Sequence, residues 1–263
     1  MTLQNSSKIN QLLKQWPPGT VAASAWLEKQ GVSRQLANSY IKTQWLVTIE
    51  HSAYIKAGDS VGWQGGLYSI QHQLKLDIHL GGKTALELQG LGHYIPLGKR
   101  QRVVLFGPPG TKLPKWFTQH NWEIELRYVT ANLFTKENES EFRNFDLGSF
   151  SIKISSPERA ILETLYFIPT KQTWDEALYI MEGLATLRPK VLQALLESCQ
   201  SVKVKRIFLF LATYCNHAWL KELDLNKIEL GRGKRVIAKH GFLDKKFKIT
   251  VPKTFTSLDE GMP

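Results

Sequence analysis

The sequence has only two cysteines among 263 residues and no Cys-x-x-Cys pair. Cys199 and Cys215 stand far apart, so neither a disulfide framework nor a cysteine-rich zinc site is indicated, and we expect two reduced thiols. The longest aliphatic or aromatic run, residues 207–212, has six residues, whereas a membrane-spanning helix needs roughly 20. The first 16 residues lack a basic start and an apolar segment, so we expect a cytoplasmic protein without a secretory signal.

Patterns that would carry catalysis or metal binding are also scarce. The seven histidines include no His-Glu-x-x-His motif and no pair four positions apart, so no metal site, catalytic residue or cofactor is predicted. Glu137, Glu139 and Glu141 alternate in a polar stretch that we expect to be a solvated loop rather than a pair of catalytic carboxylates.

Two stretches imitate phosphate-binding loops. Residues 82–84 (Gly-Lys-Thr) end like a Walker A loop, but the position that needs its first glycine is Asp77, whose charge would repel phosphate. Residues 107–111 open like an ATPase loop, but Pro114 forbids the helix whose N-terminus would hold the anion. We expect both stretches to be turns.

Positive charge is in excess, with 34 lysines and arginines against 23 acidic residues and a net charge of +11. The excess lies at the two ends, since residues 1–60 carry 6 basic and 3 acidic side chains and residues 201–263 carry 13 and 6. A polyanionic partner is therefore plausible, although a basic surface also serves solubility.

The first sixty residues predict three short helices separated by strong breakers. Pro17-Pro18-Gly19 ends the first helix and Gly31 ends the second, because proline cannot continue a helix and glycine accepts the left-handed C-terminal conformation. Thr20 is placed to cap the second helix, and Ser33 to cap a third that runs to about Thr43. The short turn before the third helix is typical of a helix-turn-helix.

The third predicted helix has one apolar face and one polar face at helical spacing. An exposed arginine can pair with guanine, and asparagine or glutamine with adenine, so the polar face fits reading of the DNA major groove. A solvated helix face would show the same pattern. The candidate DNA contacts on this helix are Arg34, Gln35, Asn38, Ser39, Lys42 and Thr43.

Residues 45–56 alternate like a short hairpin that turns at His51-Ser52, and a hairpin after three helices indicates a winged helix. Tyr54 and Lys56 are candidate phosphate contacts beside this turn, which is itself not very basic. A further helix is predicted over residues 63–76 and another behind Gly81-Gly82. We expect this DNA-binding domain to cover residues 1–93.

Residues 94–263 predict a mixed α/β domain, so the expected fold class is α+β. Strands are predicted around residues 103–106, 122–129 and 150–154, and helices over 157–168, 174–187, 189–199 and 202–215. A hairpin is predicted from residues 235–239 and 246–251. Arg232, Lys234 and Arg235 are candidate phosphate contacts here, and an exposed basic strand edge that discourages association explains them equally well.

The order of these features resembles the AbiEi family of antitoxins from type IV toxin–antitoxin modules, first associated with abortive phage infection. Besides the helix-turn-helix and its short wing, the resemblance rests on residues 82–90 (GKTALELQG), 113–117 (LPKWF), 155–163 (SSPERAILE), 230–235 (LGRGKR) and 249–252 (ITVP). The Ser-Pro-Glu-Arg-Ala helix start and the Gly-Arg-Gly-Lys-Arg turn are the more specific pieces.

The resemblance implies a bifunctional protein that is not an enzyme. The winged helix would bind inverted repeats in double-stranded DNA of its own promoter and repress transcription, with the third helix supplying the contacts. The C-terminal domain would counteract a nucleotidyltransferase-like toxin without a stable complex, and no membrane is involved. Two alternatives remain: an RNA- or nucleotide-handling enzyme using the basic C-terminal domain, and a protein-interaction module without salt-dependent DNA affinity.

Overall fold

The structure, a computed structural model, describes residues 3–92 and 100–255 and confirms the α+β class. The chain divides into two compact units. The first comprises Met1–His79, Arg100–Thr130 and Asn144–Lys153, and the second comprises Leu80–Lys99, Ala131–Arg143 and Ile154–Pro263. The domain boundary predicted between residues 93 and 94 lies outside the described residues and stays a prediction.

The secondary structure alternates between short helices and short strands. The helices are α1 (Leu3–Gln15), α2 (Ser24–Lys29), α3 (Arg34–Lys42), α4 (Trp63–Tyr68), α5 (Gly82–Leu88), α6 (Lys115–Gln119), α7 (Pro157–Leu165), α8 (Trp174–Glu182), α9 (Pro189–Ser198) and α10 (Val202–Tyr214). The strands are β1 (Ala22–Ala23), β2 (Leu46–Glu50), β3 (Ala53–Lys56), β4 (His79–Leu80), β5 (Gln101–Gly107), β6 (Ile124–Thr130), β7 (Phe142–Asp146), β8 (Ser151–Ser155), β9 (Phe242–Asp244) and β10 (Ile249–Val251). A π-helical turn, Ser69–Gln73, continues α4.

The beginning of the first unit is a helix-turn-helix followed by a wing. The antiparallel order β1-β3-β2 places the wing hairpin against β1, with Ala22 opposite Tyr54. Trp16, directly after α1, Leu27 of α2 and Tyr40 of α3 are almost completely buried in one cluster. Because each short helix buries only one stripe, the three are stable only when packed together.

The second helix is shorter than the sequence predicted. It starts at Ser24 rather than after Thr20, because Ala22 and Ala23 pair with β3 as a strand. The Thr20 hydroxyl instead donates a hydrogen bond to the Pro17 carbonyl. Thr20 therefore closes the turn after α1 and does not cap α2.

The remainder of the first unit contains the parallel strands β5 and β6, paired over seven residues from Gln101–Ile124 to Gly107–Thr130. The side chains of residues 103–106 are all buried, as expected for a parallel strand covered on both faces. Both strands and the helical region from Trp63 confirm the sequence-based predictions.

The second unit is mainly helical. All nine residues of α7 are buried, and so are nine consecutive residues of α10, from Val204 to Ala212. Pro157 occupies the first turn of α7, where its missing N–H costs nothing. Helices α7 to α10 confirm the four helices predicted from the sequence, with earlier ends for α7 and α8.

The sequence-based prediction of the C-terminal hairpin is wrong in its first strand. The C-terminal hairpin is formed by β9 and β10, because Asp244, Leu243 and Phe242 pair with residues 249–251. Residues 235–239 make no strand, and only Arg235 bridges to Ile249. The glutamate-rich segment leads through a 3₁₀ turn, Glu139–Glu141, directly into β7.

Across residues 3–92 and 100–255, none of the helices combines the length and apolar character required to cross a bilayer.

Truncating Leu27 tests whether the helix-turn-helix depends on this shared cluster. The side chain is 1% exposed, so Leu27→Ala should lower the free energy of unfolding by about 2–5 kcal/mol through lost burial and a residual cavity. Urea unfolding followed by circular dichroism measures the change. Lys29→Ala, an exposed change in the same helix, should stay within about 0.5 kcal/mol of the unsubstituted protein. Equal effects of the two substitutions would contradict the described packing.

Candidate nucleic-acid interface

Helix α3 begins and ends where the sequence predicts. Ser33 has an extended backbone, and its hydroxyl oxygen accepts a hydrogen bond from the Leu36 amide at 3.2 Å, which satisfies one of the free donors of the first turn. Ala37 and Tyr40 are buried in the core of the first unit. Their burial fixes the rotation of α3 about its own axis, so the opposite face stays in solvent.

The opposite face of α3 carries the predicted DNA contacts. Arg34, Asn38 and Lys42 follow one another at intervals of four residues and form one exposed stripe along the helix. No ion pair with another described residue engages Arg34 or Lys42. The remaining candidates are Gln35 and Thr43, which are exposed, and Ser39, which is half-buried.

The wing is short and fastened to the body of the unit. Its tip carbonyl, on Ser52, accepts a hydrogen bond from the Ser24 amide at 3.0 Å. The Ser52 hydroxyl and the His51 ring are hydrogen bonded at 2.8 Å, and Ser52 has a left-handed backbone with φ of 69°. The turn itself has no lysine or arginine, so the wing offers little positive charge to a phosphate.

Two of the predicted phosphate contacts have other roles. Tyr54 is 8% exposed and belongs to the apolar cluster of the helix-turn-helix. The ammonium group of Lys56 donates hydrogen bonds to the backbone carbonyls of Leu13 and Trp16, and burial lowers the pKa of Lys56. Because Tyr54 is buried and the Lys56 ammonium group binds carbonyls of its own unit, we do not include these two residues among the DNA contacts proposed below.

The second basic cluster lies in the second unit on an exposed turn, residues 231–235, which we call the basic loop. Gly231 and Gly233 adopt left-handed backbones with φ of 66° and 77°, a conformation that favours glycine. Arg232, Lys234 and Arg235 are exposed between and after them. The three cations are therefore accessible in the second unit, whereas the stripe on α3 belongs to the first.

The Ser-Pro-Glu-Arg-Ala motif builds a buried ionic cluster rather than a reactive site. The Arg159 guanidinium donates to Glu141 at 2.8 Å, to Glu163 at 2.9 Å and to Glu137 at 2.6 Å. Burial lowers the pKa of Arg159, but the attraction of Glu163 and Glu137 outweighs burial and raises it. The expectation of a solvated glutamate loop is thus wrong for Glu141, which is 1% exposed.

The carboxylates of this cluster also hold neighbouring segments. Glu163 accepts hydrogen bonds from the Ser155 hydroxyl and the Gly82 amide, both at 2.8 Å, and so connects the motif of residues 155–163 with that of residues 82–90. Glu158 accepts from the Arg188 side chain and amide. Burial raises the pKa of Glu158, and the bonds from Arg188 lower it by more, so the net shift is downward.

Of the two stretches that imitate phosphate-binding loops, residues 82–84 are occupied by carboxylates of the protein itself. The Gly82 amide binds the Glu163 carboxylate, and Lys83 pairs with Glu176 and, at 3.6 Å, with Glu87. These carboxylates take the places that phosphate oxygens would need. The helix after residues 107–111 has five residues, α6, which is too short to present an anion site.

The sequence also contains one spacing that is typical of a catalytic motif. Residues 58–62 read Gly-Asp-Ser-Val-Gly, the spacing of a nucleophile elbow. The Asp59 carboxylate accepts a hydrogen bond from the Gly19 amide at 2.9 Å and thereby fastens the turn after α1. No hydrogen bond between described residues joins Ser60 to a histidine, so the elements of a triad are not assembled there.

The two cysteines lie away from solvent, one buried and one half-buried. Cys199 and Cys215 are free thiols. Burial raises the pKa of Cys199, and burial together with Glu182 raises the pKa of Cys215 to about 11, so both remain protonated at neutral pH. No group of three potential metal ligands occurs among these residues.

Sequence reasoning missed one residue that touches the candidate site. Arg206 stands in the buried stretch of α10 and contacts the backbone of the basic loop. The available signal was an arginine directly before the longest apolar run of the chain, residues 207–212, because a cation buried there requires partners from elsewhere in the chain.

Removing Arg159 tests whether the motif is structural. Arg159→Met should lower the free energy of unfolding by about 3–5 kcal/mol, since it leaves the buried carboxylates of Glu141 and Glu163 unpaired. Thermal or urea unfolding at neutral pH gives the value. Arg143→Met removes an exposed arginine nearby and should be almost neutral. A stable Arg159→Met protein would show that the buried cluster contributes little.

Two family models match the chain. The model described as "Transcriptional regulator, AbiEi antitoxin N-terminal domain" matches residues 5–97, and "Transcriptional regulator, AbiEi antitoxin, Type IV TA system" matches residues 100–252. No curated protein matches the sequence significantly.

A solved structure is similar over nearly the full length. The crystal structure of protein RV2827C from Mycobacterium tuberculosis aligns with a TM-score of 0.62 and 14% identity, covering 95% of this chain and 92% of that one. At this identity the likeness concerns the fold alone. The family models, in contrast, match nearly all of the sequence, and the chain belongs to the AbiEi antitoxin family of transcriptional regulators from type IV toxin–antitoxin systems.

Proposed function

We propose that this protein is a cytoplasmic antitoxin that represses its own promoter by inserting α3 into the major groove of inverted repeats. The observation that supports the proposal best is that one face of α3 is buried in the core while the opposite face is exposed to solvent. Ala37 and Tyr40 anchor the helix in the core, while Arg34, Asn38 and Lys42 form an exposed stripe. A recognition helix needs this combination, because its reading face must remain free.

The side chains of the stripe suggest separate roles. Arg34 can donate two hydrogen bonds to guanine, and Gln35 or Asn38 can form two hydrogen bonds with N6 and N7 of adenine. Lys42 lies in the last turn and fits a phosphate, which fixes position without reading sequence. Ser39 and Thr43 are smaller contributors, since the Thr43 hydroxyl already donates to the Ser39 carbonyl at 2.9 Å.

The net charge of +11 favours DNA as the partner. Contacts between lysines or arginines and phosphates release counterions, so such binding weakens steeply with salt. The basic loop adds three exposed cations to the one lysine and one arginine on α3. We include Arg232, Lys234 and Arg235 as phosphate contacts.

The antitoxin role is assigned to the C-terminal part of the chain. We propose that it counteracts a nucleotidyltransferase-like toxin without a stable complex and without catalysis of its own. The occupied Gly82 amide and the ion-paired Lys83 support a non-enzymatic role, since the stretch most similar to a nucleotide loop is filled by carboxylates.

Operator binding tests the role of α3. Arg34→Ala and Asn38→Ala should each lose about 1–3 kcal/mol on a duplex from the protein's own promoter while changing affinity for random duplex little. Lys42→Ala should weaken both duplexes equally and reduce the salt dependence by about one phosphate contact. Fluorescence anisotropy with labelled duplexes measures all three variants.

Lys190→Ala provides the matched control, because it removes an exposed lysine from α9 without touching α3. It should leave the operator preference unchanged. If a combined change of Arg34, Asn38 and Lys42 to alanine binds the operator as tightly as the unsubstituted protein, α3 is not the reading helix.

The two functions should be separable in cells. The Arg34→Ala/Asn38→Ala double variant, expressed from an unrelated promoter, should relieve repression of a reporter fused to the module's own promoter. It should still protect cells from the co-expressed toxin, because the substitutions lie in α3 alone. Loss of protection together with repression, at equal protein level, would contradict separate roles for the two activities.

A further inference from the structure

Arg206 makes an unusual set of contacts. Its side chain is nearly fully buried, and its guanidinium donates hydrogen bonds to four backbone carbonyls. The distances are 2.8 Å from Nε to the Leu230 oxygen, 2.8 and 3.1 Å from Nη1 to the oxygens of Gly233 and Lys248, and 3.0 Å from Nη2 to the Gly231 oxygen. Three of these carbonyls belong to residues 230–233.

No carboxylate of a described residue forms an ion pair with Arg206. A buried cation normally gains a carboxylate partner, because carbonyl dipoles compensate only part of the lost hydration. Burial lowers the pKa of Arg206, and the positive charge of Arg235 lowers it further. The carboxylate that does touch the loop, Glu229, accepts from the Gly231 amide at 2.6 Å.

The four hydrogen bonds dictate the shape of the basic loop. The carbonyls of Leu230, Gly231 and Gly233 are bound to α10, and the two left-handed glycines let the chain turn so tightly. The Arg235 amide is held as well, since it donates to the Lys248 carbonyl at 2.9 Å. With its backbone bound from within, the loop leaves Arg232, Lys234 and Arg235 in solvent.

We propose that Arg206 is the positioning residue of a preorganised phosphate-binding loop, residues 231–235, which grips the DNA backbone without reading its sequence. The assignment rests on the proposed DNA-binding function and adds the residue that holds this second contact. Three exposed cations above a fourth, buried one attract a polyanion, and phosphate oxygens are the acceptors that arginine and lysine bind most directly. A fixed loop loses less conformational entropy on binding than a flexible one.

The experiment measures how the binding constant of the full chain depends on salt, on operator and on random duplex. Neutralising the loop with Arg232→Ala, Lys234→Ala and Arg235→Ala together should reduce the slope of log K against log salt by about 2–3, at roughly 0.9 per phosphate contact. Affinity for the two duplexes should fall by the same factor.

Arg206→Lys separates geometry from charge. Lysine keeps the positive charge, but its three N–H donors are all on one nitrogen atom. It therefore cannot replace the planar guanidinium group, whose three nitrogen atoms together reach four carbonyls. We expect a slope close to that of the loop-neutralised protein. If Arg206 only supplied charge, lysine would restore the unsubstituted slope, and the positioning role would be overturned.

Gly233→Ala tests the same geometry with Arg206 itself unchanged, should the Arg206 variants fold poorly. A Cβ at Gly233 meets no atom within 4 Å, so its main effect is strain at a φ of 77°. It should weaken binding to both duplexes and reduce the slope. Gly110→Ala is the matched control, since Gly110 has a φ of 86° and equally open surroundings in the first unit.

The outcomes distinguish this proposal from the role of α3. An unchanged slope in the loop-neutralised protein overturns the loop as a DNA contact, while operator preference can still hold. Absence of operator preference in the unsubstituted protein overturns the reading helix, while the slope on random duplex still tests the loop. If loop neutralisation weakens binding to duplex RNA alone, the assignment to DNA is wrong.

Discussion

The burial of one side of α3 is the constraint on which the functional part of this structure depends. A nine-residue helix is unstable alone, so it must attach its apolar stripe to other elements. Ala37 and Tyr40 make that attachment to the cluster that contains Trp16 and Leu27. The polar stripe is exposed as a consequence, because a helix cannot turn its other side inward without losing this core.

The wing is stabilised by its contacts with the rest of the unit. Its two strands are too short to stand alone, and its stability comes from β1 and from the hydrogen bond between Ser24 and Ser52. Tyr54 is buried in the apolar cluster of the three helices, and the Lys56 ammonium group binds the carbonyls of Leu13 and Trp16. Of the candidate DNA contacts in the winged helix, those that remain exposed therefore lie on α3 and at its C-terminal cap.

Two buried arginines in the second unit show how differently a cation can be accommodated. Arg159 faces three carboxylates and lies between the rings of Phe134 and Phe142, 4.6 and 4.5 Å from their centroids. Arg206 faces four carbonyls and no carboxylate among the described residues. The first arrangement neutralises its charge and holds segments together, whereas the second leaves a positive charge beneath the basic loop, which suits a surface that meets an anion.

The sequence by itself determined the features that depend on local order. Breakers at residues 17–19 and 31 and the cap at Ser33 set the helices, because these residues act within one turn of chain. The spacing of Leu36, Ala37 and Tyr40 against Arg34, Asn38 and Lys42 determined which side of α3 could face solvent. The long helices of the second unit were predictable for the same reason.

Only the tertiary structure decided which polar groups remain available. Tyr54 and Lys56 look like surface residues in a short amphipathic hairpin, yet packing against α1 gives both other partners. The polar sequence around Glu141 predicts a solvated side chain, but the fold places Arg159, 18 residues later, against it. Arg206 likewise binds carbonyls of residues 24 to 42 positions away. These contacts join segments that are distant in the chain. Periodicity and spacing report only on near neighbours, so they do not predict which partners these groups have.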